Sequence, residues 1–225
     1  MASGYYVTGT DTAAGKTFAS VALLHALRVR GLRAVGMKPV ASGCELRSGA
    51  WRNEDALELQ AASSEPIPDY ALVNPFALPE ATAPQIAAAH CGASVGIASI
   101  LAAYQALAER ADAVVVEGVG GWLAPFADGF EQAELAARLQ LPVILVVGLK
   151  LGCLNHARLT ERRIVDDGLR LAGWIGNAVD PQLDFADEYT ALVQRSMASP
   201  CLGLLPHAGV LPPARSAAHL RLPEG

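Results

Sequence analysis

Residues 5–31 place a strand-like run, a glycine-containing loop and a helix-like segment directly after one another, and this order constrains the fold most strongly. Tyr5-Tyr6-Val7-Thr8 has the composition of a strand. The loop GTDTAAGKT occupies positions 9–17, and helical periodicity runs over residues 16–30 and ends at Gly31, a typical helix C-terminal residue. Such a loop presents backbone N–H groups and a helix dipole to an anion. The segment therefore predicts an α/β fold with a phosphate-binding loop.

The loop departs from the usual spacing in one respect. Thr10 stands where a glycine is usual, with four residues between it and Gly15-Lys16, and Gly9 lies one position earlier. An ordinary glycine-containing turn is the alternative, but the strand, the GKT triplet and the helix in register favour the phosphate-binding interpretation. Lys16 is expected to neutralise β- and γ-phosphate oxygens, and the Thr17 hydroxyl is expected to ligate Mg²⁺. The loop predicts a nucleoside triphosphate but names no reaction.

Apolar runs alternate with segments of helical period along the rest of the chain. The runs VVVE and VILVV are continuously apolar, which is typical of strands buried on both faces of a parallel sheet. We therefore predict one doubly wound, P-loop NTPase-like α/β domain over residues 1–225, with a mostly parallel sheet flanked by helices. Further strands are predicted at residues 34–40, 113–117, 142–147, 171–176 and 202–205. Further helices are predicted at residues 55–62, 95–110, 131–139, 155–167 and 187–198.

Two segments lack a clear pattern. Residues 63–84 are rich in proline and are expected to be irregular, and the tail from about residue 210 is poorly patterned. The uncharged stretch over residues 81–108 is too polar and too interrupted for a membrane helix, and we expect a proline-led loop and a buried alanine-rich helix there.

Composition excludes several classes of protein. The net charge of −5 argues against nucleic-acid and anionic-membrane partners, which require a basic face. With 52% hydrophobic and 17% charged residues, the chain is not intrinsically disordered. The four cysteines are scattered, and the N-terminus lacks the basic and apolar regions of a signal peptide. These features favour a cytoplasmic location.

Four motifs in a fixed order resemble dethiobiotin synthetase. They are GTDTAAGKT at 9–17, KPVASG at 38–43, VEGVGGW at 116–122 and PVILVVGLKLGCLNH at 142–156, and the resemblance runs from about residue 4 to about residue 206. It implies an ATP-dependent ligase of biotin biosynthesis that converts 7,8-diaminononanoate, CO₂ and Mg-ATP into dethiobiotin, ADP and phosphate. It also implies a homodimer, with the substrate near the dimer interface.

The predicted catalytic residues are Lys38, Lys16 and Thr12, and the resemblance implies that Lys38 contacts the carbamate and the transferring phosphoryl group. Lys38 follows a predicted strand, at the edge where open α/β sheets bind their ligands. A carbamate that attacks a γ-phosphate brings two anions together, and a lysine between them lowers their repulsion. The resemblance places substrate contacts at Ser42, Gly118 and Asn155. A turn role for Ser42 and a helix-capping role for Asn155 are the alternatives.

Hard oxygen donors are the ligands that Mg²⁺ prefers. Thr17, Asp55 and Glu117 are the candidates, and the resemblance assigns magnesium contacts to both carboxylates. For Asp55 the alternative is a capping or first-turn acid of the helix that begins there. Glu117 ends the apolar run VVVE, where a carboxylate otherwise has little reason to stand.

Nucleotide contacts are expected from the phosphate loop, the glycine-rich loop after Glu117 and two later segments. Asn177 ends a predicted strand, and its amide offers the donor and acceptor that adenine requires. The chain has no NKxD guanine motif, which favours ATP over GTP. Ala13 and Gln85 depart from the resembled pattern, which often has an acidic residue and a histidine at those places. The predicted contacts are Ala13, Ala14, Gly15, Lys16, Thr17, Phe18, Asp55, Glu117, Gly118, Val119, Gly120, Asn177, Ala178, Pro206, His207 and Ala208.

The resemblance implies a three-step reaction. The N7 amine takes up CO₂ to give a carbamate, the carbamate attacks the γ-phosphorus to give a carbamic-phosphoric anhydride, and N8 closes the ring as phosphate leaves. No Ser–His–Asp or Cys–His arrangement suggests a protein nucleophile. One alternative is a P-loop ATPase switch of the partition or cell-division type, and another is the synthetase domain of an amidotransferase.

Overall fold

A computed structural model describes residues 3–127 and 129–223. The strands are β1 (Ser3–Gly9), β2 (Ala34–Met37), β3 (Val40–Ala41), β4 (Glu45–Arg47), β5 (Ala50–Arg52), β6 (Phe76–Ala77), β7 (Ala113–Gly121), β8 (Pro125–Ala127), β9 (Phe130–Glu131), β10 (Val143–Gly148), β11 (Leu171–Asn177) and β12 (Cys201–Leu205). The helices are α1 (Lys16–Val29), α2 (Glu54–Ala62), α3 (Tyr70–Val73), α4 (Pro84–Cys91), α5 (Ile97–Ala108), α6 (Gln132–Leu139), α7 (Cys153–Asp166), α8 (Ala186–Ser196) and α9 (Pro213–Ser216).

Six parallel strands form the central sheet, in the order β12-β11-β10-β1-β7-β2. The chain leaves β1 for β2, returns to β7 and then crosses to β10 on the other side of β1. The carboxyl end of β1 is therefore a topological switch point, where open α/β sheets bind their ligands. The predicted doubly wound α/β architecture is confirmed.

The central strands are buried on both faces, as their apolar runs predict. Val114 and Val116 of β7 pack into one core cluster, whereas Val115 between them packs into the other. This alternation follows from the two-residue period of a strand. Side chains of α1 and α2 cover one face, and those of α4, α5 and α6 cover the other. Helices on both faces leave the strand ends as the accessible edge of the sheet.

The proline-rich segment is more regular than its sequence suggests. Residues 63–84, expected to be irregular, contain α3 and β6, and β6 pairs with β3 in a small parallel sheet. The strand predicted over residues 34–40 ends at Met37, because the backbone turns through Lys38 and resumes as β3. The Lys38 N–H donates to the Val73 carbonyl at 2.7 Å, so this segment anchors the backbone where the strand ends.

Other predictions need correction. Pro84 begins α4 instead of leading a loop, since proline at the first helical position loses no hydrogen bond. The helix predicted over residues 95–110 is confined to α5. Two hairpins, β4–β5 and β8–β9, were not predicted, because their strands are too short to display an alternating pattern. The poorly patterned tail contains α9, and Leu220 beyond it bridges to β12.

Within the described ranges, no helix combines the length and apolar character needed to cross a membrane.

Candidate functional site

A cleft of about 490 Å³ lies at the carboxyl ends of β1, β2 and β7. Most of the residues predicted to act in the site line it, although they come from five separate parts of the sequence. The predicted residues in its wall are Thr12, Ala13, Gly15, Lys16, Thr17, Phe18, Lys38, Ser42, Asp55, Glu117, Val119, Gly120 and Ala208. The sheet topology brings them together, because parallel strands end at one edge.

The phosphate loop connects β1 to α1 in a tight conformation. Gly15 precedes α1 with a φ of 80°, and Ala13 also has a positive φ, of 62°. A Cβ atom at Gly15 would lie 1.8 Å from Nδ2 of Asn177, so both the backbone angle and the close approach require glycine here. Ala14 is fully buried behind the loop. The first residues of α1, Lys16 to Phe18, line the cleft, so the amino end of the helix lies at the cleft, as an anion site requires.

Lys16 is mostly buried at the start of α1. Its Nζ atom donates to the carbonyl oxygens of Gly120, at 2.7 Å, and Asp11, at 3.2 Å. Burial and the nearby ammonium group of Lys38 lower the pKa of Lys16 to about 8. Its partners are neutral carbonyls, and no carboxylate in the described part of the chain forms an ion pair with it, so it can attract the phosphate groups of a nucleotide.

Lys38 is enclosed between two carboxylates. Its Nζ atom lies 2.6 Å from Oε1 of Glu117 and 2.9 Å from Oδ2 of Asp55. Burial alone would lower the pKa of Lys38, but these two carboxylates outweigh it and hold the pKa above its ordinary value. Lys38 therefore stays a cation. It lies in the same cleft as Lys16, so an anion bound between them meets positive charge from both.

The proposed magnesium ligands meet in the same cleft. Thr17 Oγ1 donates to Oε1 of Glu117 at 2.9 Å. Asp55 is linked to Glu117 by Lys38, which donates to both carboxylates. Among the described residues, Oε2 of the fully buried Glu117 has no hydrogen-bond partner. A buried carboxylate oxygen without a donor favours a cation beside it. The two carboxylates and the hydroxyl thus suit a small divalent cation.

Residues 118–121, expected as a loop after a strand over 113–117, instead form the carboxyl end of β7, which runs past Glu117 to Gly121. Gly120 has a φ of 61°, and the position of its missing Cβ lies 3.7 Å from Thr12 Oγ1. Val119 and Gly120 line the cleft, whereas Gly118 is buried behind it. This end of β7 therefore supplies one wall of the cleft, as expected for a glycine-rich segment beside a ligand.

Asn177 ends β11 beside the phosphate loop. Its Nδ2 donates to the Ala14 carbonyl at 3.1 Å, while no residue of the described ranges donates to its buried Oδ1. A buried amide oxygen left over in this way can accept a hydrogen bond from a ligand amine, such as the exocyclic amine of adenine. Ala178 follows and is tied to β12 through the Leu205 carbonyl at 3.0 Å.

Segment 206–208 leaves β12 next to Asn177. Pro206 and His207 are half-buried, and the exposed Ala208 reaches the cleft wall. The pairing of Asn177 with Leu205 in the sheet brings this segment to the same edge.

Asn155 does not lie in this cleft. It is exposed in the first turn of α7, and together with Leu159 and Arg162 it lines a separate open depression. The predicted capping role for Asn155 is wrong, because α7 begins at Cys153 and Gly152 takes the capping position. Gln85, where the resembled pattern often has histidine, lies in α4 and also outside the cleft.

The cleft contains residues that sequence analysis did not select. Ala41, Asn53 and Glu58 all line it. Asn53 caps α2 by accepting from Ala56 N–H at 3.3 Å, so Asp55 is a first-turn acid and not the cap. Glu58 follows Asp55 by three residues, a spacing that places both on one helix face and could have identified it. Burial and then nearby carboxylates raise the pKa of Glu58.

Comparison with known proteins identifies close relatives over almost the whole chain. A family model described as an AAA domain matches residues 3–215. The chain is 54% identical over 220 residues to the ATP-dependent dethiobiotin synthetase BioD of Xanthomonas euvesicatoria pv. vesicatoria, with 98% of each chain covered. It is also 54% identical over 224 residues to the protein of the same name in Xylella fastidiosa, covering 99% of this chain and 98% of the relative.

Solved structures with low sequence identity share the fold. A ParA family ATPase from Chlorobium tepidum superposes with a TM-score of 0.58 at 10% identity, over 92% of this chain and 85% of the other. The cell division protein FtsY from Thermotoga maritima gives a TM-score of 0.54 at 16% identity, over all of this chain and 66% of that longer chain. At these identities the likeness concerns the fold alone, and it confirms the predicted P-loop NTPase-like architecture.

Proposed function

Because the chain belongs to the ATP-dependent dethiobiotin synthetase family, we propose that it forms dethiobiotin from 7,8-diaminononanoate, CO₂ and ATP, with release of ADP and phosphate. The observation that carries this proposal is the pair of buried lysines, Lys16 and Lys38, in one cleft with the phosphate loop. A nucleotide phosphate and a carbamate both carry negative charge, and joining them requires cations on both sides.

The proposed reaction begins with the uptake of CO₂ by the N7 amine, which gives a carbamate and releases a proton. A carbamate oxygen attacks the γ-phosphorus, the bond to the β-phosphate oxygen breaks, and ADP leaves. N8 then attacks the carbonyl carbon of the mixed anhydride, and the ring closes with loss of phosphate and a proton. Lys38 orients the carbamate and stabilises its charge, and Lys16 with Thr12 holds the phosphoryl group.

We propose Thr17, Asp55 and Glu117 as the residues that hold Mg²⁺. The unpartnered Oε2 of Glu117 supports this assignment, since the oxygen lacks a protein donor among the described residues. When bound, Mg²⁺ screens the phosphate charge and orients the β- and γ-phosphates. Asp55 is held ionised for this purpose: burial alone would raise its pKa, but the Lys38 ammonium outweighs that effect and lowers the pKa.

We propose that ATP spans the cleft from the phosphate loop to segment 206–208. The phosphates lie along the loop and α1, and the adenine lies between Asn177 and segment 206–208. The buried Oδ1 of Asn177, beside the phosphate loop, has no hydrogen-bond donor among the described residues, which supports a contact with an adenine amine. The nucleotide contacts are those predicted above, namely Ala13, Ala14, Gly15, Lys16, Thr17, Phe18, Asp55, Glu117, Gly118, Val119, Gly120, Asn177, Ala178, Pro206, His207 and Ala208.

The diamine is proposed to lie against Ser42 and the Gly118 segment, with its carboxylate reached by Asn155 of a second copy of the chain. Asn155 lines a separate depression and not the cleft of its own subunit, so it can take this role only in a homodimer. Exposed apolar side chains around it, Leu151 and Leu159, support an interface there. We propose that residues 1–225 form one domain that carries the whole reaction. We also propose that the protein works in the cytoplasm.

The assay combines purified protein with 7,8-diaminononanoate, bicarbonate and Mg-ATP, and it follows both ADP and the cyclic urea by mass spectrometry. We expect ADP release to require the diamine and to match the product one to one. Folded protein that forms no cyclic urea would contradict the proposed function. ADP release at the same rate without the diamine would instead support a switch-type ATPase, an alternative that the close relatives do not favour.

The dimer is tested by sedimentation of Leu159→Asp. Leu159 is 61% exposed on α7, and a buried carboxylate at an apolar interface opposes association. We expect wild-type protein to sediment as a dimer and Leu159→Asp as a monomer with weakened diamine binding. Val29→Asp is the matched control, because Val29 is 86% exposed at the end of α1, and it should remain dimeric. A monomeric wild type would refute the proposed role of Asn155.

A further inference from the structure

Gln132 is a polar side chain enclosed in the protein interior. It is the first residue of α6, yet it is 0% exposed, whereas the first turn of a surface helix is usually solvated. No motif pointed to it, and it is not part of the cleft wall. A buried amide has to be fully hydrogen-bonded to be tolerated, so its partners reveal what it holds in place.

The four hydrogen-bonding positions of the Gln132 amide are all occupied. Its Oε1 accepts from Tyr6 Oη at 3.1 Å and from the N–H of Val119 at 2.9 Å. Its Nε2 donates to the carbonyl of Val119 at 2.6 Å and to the carbonyl of Gly121. Three of the four partners are backbone groups at the carboxyl end of β7. The side chain therefore pairs with this end of β7 in the way that a neighbouring strand would.

This end of β7 positions Lys16. Gly120 lies between the two residues that Gln132 holds, and its carbonyl accepts from Lys16 Nζ at 2.7 Å. Gly118 is required for this arrangement, since a Cβ there would lie 1.8 Å from Oε1 of Gln132. A shift of residues 118–121 would thus move both the Gly120 carbonyl and the Lys16 ammonium group bonded to it.

We propose that Gln132 is a positioning residue that fixes the carboxyl end of β7, residues 118–121, and, through the Gly120 carbonyl, the place of the Lys16 ammonium group. The effect of Gln132 on phosphoryl transfer rests on the proposed function. Its effects on the position of residues 118–121 and on nucleotide binding are independent of the proposed function. Glutamine is required because the site needs two donors and two acceptors at once. A glutamate at this position offers no second donor for the two carbonyl oxygens, of Val119 and Gly121, that it would face. A leucine would leave all four partners of the amide unpaired.

The test compares Gln132→Glu and Gln132→Leu with wild type. Gln132→Glu keeps the volume and shape of the side chain, so it removes donors without opening a cavity. For both variants we expect ADP binding, measured by calorimetry, to weaken at least about tenfold, because two or more buried hydrogen bonds are lost. We expect KM for ATP to rise more than KM for the diamine, and the Val119 amide proton to exchange at least about tenfold faster in Gln132→Leu.

Two controls separate positioning from a general loss of structure. Gln105→Leu changes an exposed glutamine on α5 and should leave ADP binding and exchange unchanged. Tyr6→Phe removes one of the four hydrogen bonds of Gln132 and keeps the three to the backbone of β7. It should therefore weaken ADP binding by less than about threefold. A general loss of structure would instead lower stability and raise both Michaelis constants together.

Wild-type ADP affinity in folded Gln132→Glu would overturn the proposal, and so would rapid exchange of the Val119 amide in wild-type protein. The exchange measurement uses the wild-type chain, so it decides the matter even where a variant does not fold. Calorimetry and exchange need no diamine. A wild-type protein that makes no dethiobiotin would therefore refute the proposed function and leave the inference about Gln132 to be judged separately.

Discussion

Lys38→Met is expected to lower kcat for cyclic urea formation by about a hundredfold to a thousandfold, the range found when one stabilising group is removed from a developing charge. The methionine keeps the length of the side chain but removes the cation that the carbamate and the transferring phosphoryl group share. ADP affinity, which depends on the phosphate loop and Lys16, should change by less than about tenfold. Steady-state kinetics and calorimetry measure the two effects separately.

Stability complicates the single variant. Lys38 is the partner of the fully buried Glu117, and removing one member of a buried ion pair typically costs about 3–5 kcal/mol. The double variant Lys38→Met/Glu117→Gln leaves no uncompensated buried charge at that pair, so its melting temperature should recover toward wild type. Its turnover should not recover, because both the cation and a proposed magnesium ligand are gone.

Two further results bear on the role of Lys38. Arg33→Ala removes an exposed cation that pairs with Asp112 and should leave both turnover and nucleotide binding unchanged. Turnover of Lys38→Met within about threefold of wild type, in folded protein, would remove Lys38 from the mechanism, since a group that stabilises the transition state is worth far more.

Local sequence was sufficient to predict the strand–loop–helix arrangement of the proposed phosphate site. The strand, the loop and the helix are consecutive, so the position of Lys16 at the helix start follows from the chain itself. The central strands were predictable for the same kind of reason, because their apolar runs report burial on both faces. Prediction was accurate where a few neighbouring residues determine the conformation.

Contacts between distant segments were only partly predictable. Lys38 and Glu117 were each expected at the same edge of the sheet, but their 2.6 Å contact depends on β2 and β7 being neighbours. The role of Gln132 depends on how α6 packs against β7, and a glutamine in a helix has no distinctive pattern. The capping prediction for Asn155 failed because a glycine with a φ of 91°, Gly152, starts α7 earlier.

Gly15→Ala is the second change expected to have a large effect. The new Cβ would lie 1.8 Å from Asn177 Nδ2, and the φ of 80° lies in the left-handed region that costs a residue other than glycine about 1–2 kcal/mol. To relieve the overlap, Asn177 must give up its bond to the Ala14 carbonyl or the loop must move. We expect ADP affinity to fall by about a hundredfold, because the loop and the proposed adenine contact are both displaced.

Gly31→Ala separates the collision from the backbone strain. Gly31 has nearly the same φ, 84°, and within the described part of the chain nothing lies within 4 Å of the position its Cβ would take. It should therefore lose only the stability that the backbone strain costs, less than Gly15→Ala loses, and bind ADP normally. In Gly15→Ala/Asn177→Ala the overlap is removed, so stability should exceed that of Gly15→Ala alone. If Gly15→Ala binds ADP as tightly as Gly31→Ala does, the contact between the phosphate loop and Asn177 does not position the nucleotide.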